Sequence, residues 1–349
     1  MGCLQAYEGN PMILRGLNTR HHMRVGIDLG TANTIAVLQG AGVVFDQPTV
    51  CCFQAYNAVP RFVAAGSEAH AFVGRISKPL KIVRPLRNGV MSDMLAAREL
   101  FHLVRKSLGP VPRFGRICPH IGIPADATQS ERRALETAAT DAGFAKPRLV
   151  SEPLLAAIGL GLDIAQARGR MVVDCGAGTT EVAVVSLGGV CLSKSVRGGG
   201  EALDQALTDY LASHHRFKIG PATAETLKMQ LSEVLAGRSS TDCIEAPGLD
   251  LASGLPRVLV IPGGELKPVW MKQVEHVVRI VREAFAETPP ELSEGILEDG
   301  ITLTGGGAMC ALLAESIEAE TGVPTRIADQ SMHCVAKGLE ALIQRQDAR

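Results

Sequence analysis

The sequence predicts an α/β protein of two similar lobes that face a shared cleft. Three observations carry this. Strand-like and helix-like patterns alternate along nearly the whole chain. A strand–Asp-x-Gly–strand hairpin occurs once in each half, at Asp28 and again at Asp174. At 349 residues the chain is too long for one small domain, and two lobes account for it.

Composition narrows the class. With 46% hydrophobic and 20% charged residues the chain has ample material for a core. Only 4% are aromatic, so Val, Ile, Leu and Ala must fill that core. A net charge of −1 gives no electrostatic case for a nucleic-acid partner. The nine cysteines are scattered without a CxxC pair, and Cys51 and Cys52 are adjacent; they read as buried thiols of a reducing cytosol, not as metal ligands or disulfides. The first 22 residues hold no apolar run long enough for a signal peptide or a membrane span. Met1-Gly2-Cys3 has the look of a lipidation start, but Ala6 breaks the myristoylation pattern. Met23 directly precedes the first strong strand, so Met1–His22 reads either as a disordered extension or as an overcalled start.

Taken in order, the elements run as follows. Val25–Leu38 is an apolar strand, a polar turn and a second apolar strand, and Met171–Val185 repeats that plan. Between the hairpins, Leu95, Leu100, Phe101, Val104 and Leu108 recur at helical spacing after Asp93, until Gly109-Pro110 stops the pattern. Ile117–Ile123 is a short strand ended by Pro124. Thr128 is the N-cap of a helix from Gln129 to Ala142, with Gly143 as its stop. Leu149-Val150 leads into Ser151-Glu152-Pro153, and Leu154–Leu160 is helical. Beyond the second hairpin, Glu201–His214 and Ala222–Leu235 read as helices. Ala236–Pro268 is rich in Gly, Pro and Ser, with short strands such as Val258–Ile261. Lys272–Glu287 is an amphipathic helix carrying Val274, Val277, Val278, Val281 and Phe285. Gly300–Thr304, Gly305-Gly306-Gly307 and Ala308–Thr321 read as strand, turn and helix.

The two hairpin turns carry the chemistry. A phosphate needs donors that approach without side-chain crowding, and backbone N–H groups in a Gly-containing turn supply them, with Thr hydroxyls in support. Gly30, Thr31, Ala32 and Asn33 suit one phosphate set; Gly176, Ala177, Gly178, Thr179 and Thr180 suit another. Asp28 and Asp174 stand just before the turns, where direct contact with phosphate would be repulsive. Their natural role is to hold Mg²⁺ through water. Turn geometry alone would also explain either hairpin taken singly. Both copies in register, each with acid, glycine and a Thr-bearing tip, argue for a nucleoside triphosphate. No GxxxxGKS/T stretch is present, so the P-loop class is excluded. Gly305, Gly306 and Gly307, followed by Ala308, come after an apolar strand and permit close approach by a sugar or flat base, though a plain strand–helix turn fits them as well.

These residues resemble the MreB family of bacterial actin homologues, within the superfamily of actins, sugar kinases and heat-shock chaperones. The similarity runs from about Arg24 to Leu342. It rests on DLGTANT at Asp28–Thr34, PLRNGVMSD at Pro85–Asp93, ERRA at Glu131–Ala134, Glu152-Pro153, DCGAGTTEVAVVSLGG at Asp174–Gly189, ETPPEL at Glu287–Leu292 and LTGGGA at Leu303–Ala308.

The resemblance implies an actin-like ATPase fold of four subdomains around a central nucleotide cleft. Subdomain IA would take 23–53, 87–166 and 336–349; IB, 54–86; IIA, 167–202 and 271–335; IIB, 203–270. It implies ATP, or GTP, with Mg²⁺, and assembly into homopolymeric filaments. These would lie on the inner face of the cytoplasmic membrane, with membrane proteins of cell-wall elongation as partners. By the same resemblance Glu152 and Thr179 position the attacking water, and Glu225 and Lys228 contact ribose and purine. Read on their own, Glu225 and Lys228 at i,i+3 are a surface ion pair.

The sequence departs from the family at several points. Ala177 and Cys175 replace Gly and Ile, Gln230-Leu231-Ser232 replaces EIG, and Arg197–Glu201 alters VGGD. Ala236–Pro268 diverges. A specialised paralogue fits these changes. By the resemblance, Met12–Leu17 and the Val111–Phe114 loop are two candidates for membrane attachment, with Pro11 and Gly16 weakening a helix at the first. A small-molecule kinase on the same fold is the competing function, although the chain offers no separate catalytic carboxylate for a substrate. A chaperone would need a peptide-binding domain for which the sequence leaves no room.

Overall fold

The computed structural model describes residues 23–54, 60–110 and 116–345. Met1–His22 and both candidate attachment segments, Met12–Leu17 and Val111–Phe114, lie outside the described residues.

The chain begins with an antiparallel meander, β1 (Met23–Leu29), β2 (Asn33–Leu38) and β3 (Gly42–Pro48). A small sheet follows, of β4 (Cys51–Gln54), β5 (Arg61–Ala65) and β6 (Leu80–Val83), with the short α1 (Ser67–His70) between the last two. A two-stranded hairpin, β7 (Leu86–Arg87) and β8 (Val90–Met91), leads to α2 (Met94–Ser107), β9 (Ile117–Ile123), α3 (Gln129–Asp141), β10 (Arg148–Ser151) and α4 (Glu152–Gly159). The second half opens with its own meander, β11 (Arg170–Cys175), β12 (Thr179–Ser186) and β13 (Gly189–Arg197). Next come α5 (Gly200–His214), β14 (Phe217–Lys218), α6 (Pro221–Leu235), β15 (Cys243–Asp250), β16 (Pro256–Pro262) and α7 (Gly263–Glu287). The chain continues through α8 (Pro290–Asp299), β17 (Ile301–Thr304), a 3₁₀ turn at Gly306–Met309, α9 (Leu313–Thr321), β18 (Thr325–Ile327) and α10 (Cys334–Arg345).

The two halves are copies in topology. The first five-stranded sheet has the order β10-β9-β1-β2-β3 and the second β13-β12-β11-β17-β18. In each, the first strand of the meander is central. It pairs antiparallel with the next strand in sequence and parallel with a strand that returns after a helix. Central strands covered on both sides read as apolar runs, as Val172 and Val173 do at 1% and 0% exposure.

Each lobe has its own core, one around Phe101, Leu100 and Ile121, the other around Trp270, Phe217 and Leu227. A third core joins them: Ile35 and Val37 of β2, Leu155 and Ala156 of α4, Val172 of β11, and Val335, Leu339 and Ile343 of α10. There α4 and α10 cross with backbones in contact. A Cβ on Gly159 would lie 1.9 Å from the Cys334 carbonyl oxygen, and one on Gly338 1.9 Å from that of Leu155. Only glycine permits that approach.

The structure departs from the sequence expectations where local signals mislead. The helix expected at Lys272 starts at Gly263 and runs unbroken past Pro268. Gly263-Gly264 and Pro268 read as loop, but tertiary packing of Leu266 and Trp270 overrides their low propensity. The helix expected over Ala308–Thr321 is interrupted: a 3₁₀ turn ends at Met309, and α9 begins only after Leu312, at φ 65°. Of the cysteines expected to be buried, Cys191 and Cys243 are exposed. In agreement with the N-cap reading, Thr128 and Glu131 form a full capping box.

Candidate functional site

A cleft between the lobes is lined by both meander turns, the Asn88–Gly89 turn, the start of the Gly305 turn, and Glu152 at the head of α4. The second turn is braced from behind. The Gly176, Ala177 and Gly178 carbonyls accept the N–H groups of Gly200 (3.2 Å), Glu201 (2.9 Å) and Gly198 (2.8 Å). In a trans peptide the carbonyl of one residue points away from the N–H of the next. Fixing these carbonyls toward α5 therefore turns the Ala177 and Gly178 N–H groups to the cleft. The first turn uses the same device: Thr49 N–H donates to the Ala32 carbonyl at 2.7 Å, which aims the Asn33 N–H the other way.

The turn tips touch. A Cβ on Gly178 would stand 2.4 Å from Thr31 Oγ1 and 2.7 Å from Gly89 N. Gly89 N–H donates to Thr31 Oγ1 at 3.3 Å. Asn88 (φ 49°) and Gly89 (φ 72°) form a left-handed hairpin turn wedged beside both tips. Further links cross between the lobes: Ser195 donates to Asp126, Arg197 pairs with Glu131 at 3.7 Å, and Arg84 pairs with Glu201 at 3.6 Å.

Among the described residues seven carboxylates line the cleft, Asp46, Asp126 and Glu131 among them, and the other four, Asp28, Glu152, Asp174 and Glu181, all titrate above their ordinary range. Burial, then Asp174 and Asp46, push Asp28 up to about 7. Burial pushes Asp174 up to about 6. Burial, then Asp174 and Asp126, push Glu181 up to about 8, with the Ala125 N–H pulling slightly the other way. Glu152 is raised well above the ordinary range, first by burial and then by Asp28, Glu181 and Asp174. Crowded acids of this kind call for a cation. Among the described residues no three His, Cys, Asp or Glu side chains converge for direct chelation. The donor set therefore fits a hydrated Mg²⁺, which keeps several of its waters.

Most residues expected at the site line this cleft: Asp28, Gly30, Thr31, Ala32, Asn33, Glu152, Asp174, Gly176, Ala177, Gly178, Thr179, Gly305 and Gly306. Five do not. Thr180 is 1% exposed, because alternation along β12 turns it away from the face of Thr179. Gly307 packs against Cys175, and Ala308 is buried in the second core. Lys228 donates to Asp204 at 2.9 Å and to the Gly200 carbonyl at 3.3 Å, so it stands behind the second turn; it makes no ion pair with Glu225, which is exposed. Gly176 spends its own N–H closing the hairpin onto the Thr179 carbonyl at 2.8 Å. Gly305, at φ 82°, lies so close to Asp174 that a Cβ would meet its Oδ1 at 2.5 Å.

Sequence reasoning gave no role to Glu181, Asn88 or Gly89. For Glu181 a signal existed: two residues after Thr179 on one strand, it must share that residue's face. For Asn88-Gly89 the signal was the Asn-Gly pair itself.

A family model described as MreB/Mbl protein matches residues 22–349. The chain belongs to the MreB/Mbl family. The cell shape-determining protein MreB of Escherichia coli (strain K12) is 38% identical over 322 residues, covering 90% of this chain and 91% of its own length. The cell shape-determining protein Mbl of Bacillus subtilis (strain 168) is 33% identical over 324 residues, covering 93% and 96%. MreB5 of Spiroplasma citri, solved bound to ADP, superposes with a TM-score of 0.86 at 30% identity, over 94% of this chain and 99% of that one. The MamK double helical filament, at a TM-score of 0.77 and 22% identity over 93% and 99%, shares the fold. The MreB/Mbl assignment and the actin-like fold expected from the motifs both hold. No described helix is long and apolar enough to cross a membrane.

Proposed function

We propose that this MreB/Mbl chain binds ATP, or GTP, with Mg²⁺ between its two turns, hydrolyses it, and assembles into filaments on the inner face of the cytoplasmic membrane. There it would act with membrane proteins of cell-wall elongation to organise cell shape. The observation that carries this reading is the paired turns: carbonyls tied back, N–H groups toward a cleft floored by carboxylates. Relatives solved with ADP and with AMPPNP support the nucleotide.

In this reading the N–H groups of Asn33, Ala177 and Gly178 grip the phosphates. Asp28 and Asp174 would hold the hydrated cation, which offsets the phosphate charge when bound. Glu152 orients the attacking water with Thr179 and takes its proton, for which a raised pKa suits it. Gly305 and Gly306 leave room for the sugar and base. Lys228 and Glu225 reach the ribose only if Lys228 exchanges its bond to Asp204. The four-subdomain division stated above is proposed with it: β5 and β6 fall in IB, β4 meets them across the 53/54 boundary, and the sheet β14–β16 falls in IIB.

The test is pelleting and electron microscopy with ATP or GTP, with and without liposomes. Failure to assemble under every condition would sink the filament reading. Glu152→Ala is expected to keep nucleotide binding and to lose hydrolysis by about 10²–10⁴-fold. Unchanged turnover would remove Glu152 from its role.

A further inference from the structure

Glu181 is a buried acid that neither the fold nor the proposed hydrolysis uses. It is 2% exposed, and neither carboxylate oxygen accepts a well-formed hydrogen bond, although the Ala125 N–H lies near. Its neighbour across β13 is Ser195, whose hydroxyl is already given to Asp126. A buried carboxylate with no well-formed hydrogen bond costs stability, and an apolar side chain of similar shape would serve the fold better. The group therefore awaits something that the protein binds.

Register identifies what. Glu181 is the Cα partner of Asp174 in the antiparallel β11–β12 pair, so the two carboxylates leave the sheet on the same face, side by side. Thr179 shares that face but sits at the turn, where the phosphates would lie. Glu181 stands one step deeper, level with Asp174. A direct meeting with phosphate is repulsive, and direct chelation is not offered by the described side chains. Water molecules on a divalent cation are the remaining partner: their O–H groups, polarised by the metal, donate to a carboxylate at close range.

We propose that Glu181 is a third, outer carboxylate of the cation site. It accepts hydrogen bonds from waters of the hydrated divalent cation that Asp28 and Asp174 hold, and so sets how tightly that cation binds. It is a positioning residue, and the assignment rests on the nucleotide reading given above.

The experiment titrates Mg²⁺ against binding of a fluorescent ATP analogue to the full chain, comparing the parent with Glu181→Gln. The expected result is a rise of about tenfold or more in the Mg²⁺ needed for half-maximal binding, the range found for outer-shell partners of metal ligands. Binding at saturating Mg²⁺ should stay close to the parent's. Mn²⁺ affinity, read by electron paramagnetic resonance of the free ion with ADP present, should weaken in parallel. An unchanged Mg²⁺ dependence overturns the assignment, as does an equal loss of affinity at every Mg²⁺ concentration. A nucleotide-free thermal melt shows that the variant is folded. Should Glu181→Gln fail to fold, Glu181→Asp, which keeps the charge but draws it back from the cation, is titrated with the same two readings. A parent that binds no nucleotide at any Mg²⁺ concentration sinks the nucleotide reading itself. A parent whose Mg²⁺-dependent binding the variant shares sinks only the role of Glu181.

Discussion

At the scale of single residues, the site is governed by where backbone groups are prevented from pointing. Gly305 shows how little room is left. Its φ of 82° suits glycine, and a Cβ would come within 2.4 Å of the Cys175 carbonyl and 2.5 Å of Asp174 Oδ1. Gly305→Ala is therefore expected to destabilise the protein by about 1–3 kcal/mol and to displace Asp174. Urea denaturation measures the first effect and Mg²⁺-dependent nucleotide binding the second. A variant with the parent's midpoint and affinity would show that the turn relaxes freely. Lys228 makes the opposite point. The family resemblance suggested a ligand contact, yet Asp204 on α5, 24 residues earlier in the chain, holds its ammonium at 2.9 Å.

At the scale of elements, helix ends do more than stop and start the chain. α3 begins with a reciprocal pair, Glu131 N–H to Thr128 Oγ1 at 3.2 Å and Thr128 N–H to Glu131 Oε2 at 2.7 Å. That pairing and the neighbouring Arg197 also hold the Glu131 carboxyl below the usual range. Arg197 reaches Glu131 from β13, in the other lobe, so the cap carries an interlobe contact as well as a helix end. Thr128→Ala should cost about 1 kcal/mol by thermal or chemical denaturation, the usual worth of an N-cap. Because the Arg197 contact is half-exposed, it should add little to that figure. A loss several times larger would mean that the cap supports the lobe contact itself. Strand pairing works likewise at this level: the hairpin register at Asp174 puts Glu181 beside it.

At the scale of the whole molecule, two topological copies close on a nest of acids, and the third core at α4 and α10 ties them together. The acids make stability depend on pH in a direction that can be worked out. Asp28, Asp174 and Glu181 hold protons in the folded protein up to about 7, 6 and 8, whereas unfolded carboxylates release theirs near 4. Between those limits the folded state binds more protons than the unfolded one, so stability falls as pH rises. The contribution is complete below about pH 4 and is gone above about pH 8. Cation-free, nucleotide-free protein should accordingly melt at a lower temperature at about pH 8 than at about pH 6, and Mg²⁺ with ADP should flatten that slope by favouring the ionised acids. A melting temperature that climbs over this range in chelator would contradict the burial of these groups.

Much of this was legible in the sequence. Apolar runs marked β1, β2, β11 and β12, and Thr128 marked the start of α3 to the residue, because these signals act between neighbours along the chain. The acid and glycines of each turn were visible for the same reason, and the motifs containing them carried the resemblance to the family. What only the tertiary structure decided is which of those groups remain available. It tied the carbonyls of the second turn to α5, took the Gly176 N–H into the hairpin, took Lys228 to Asp204, and brought α4 and α10 into backbone contact. Apart from the Gly176 bond, which closes on Thr179 three residues on, each of these depends on a partner far off in sequence, chosen by how the elements pack. Local pattern states what a residue can do, and the fold determines what is left for it to bind.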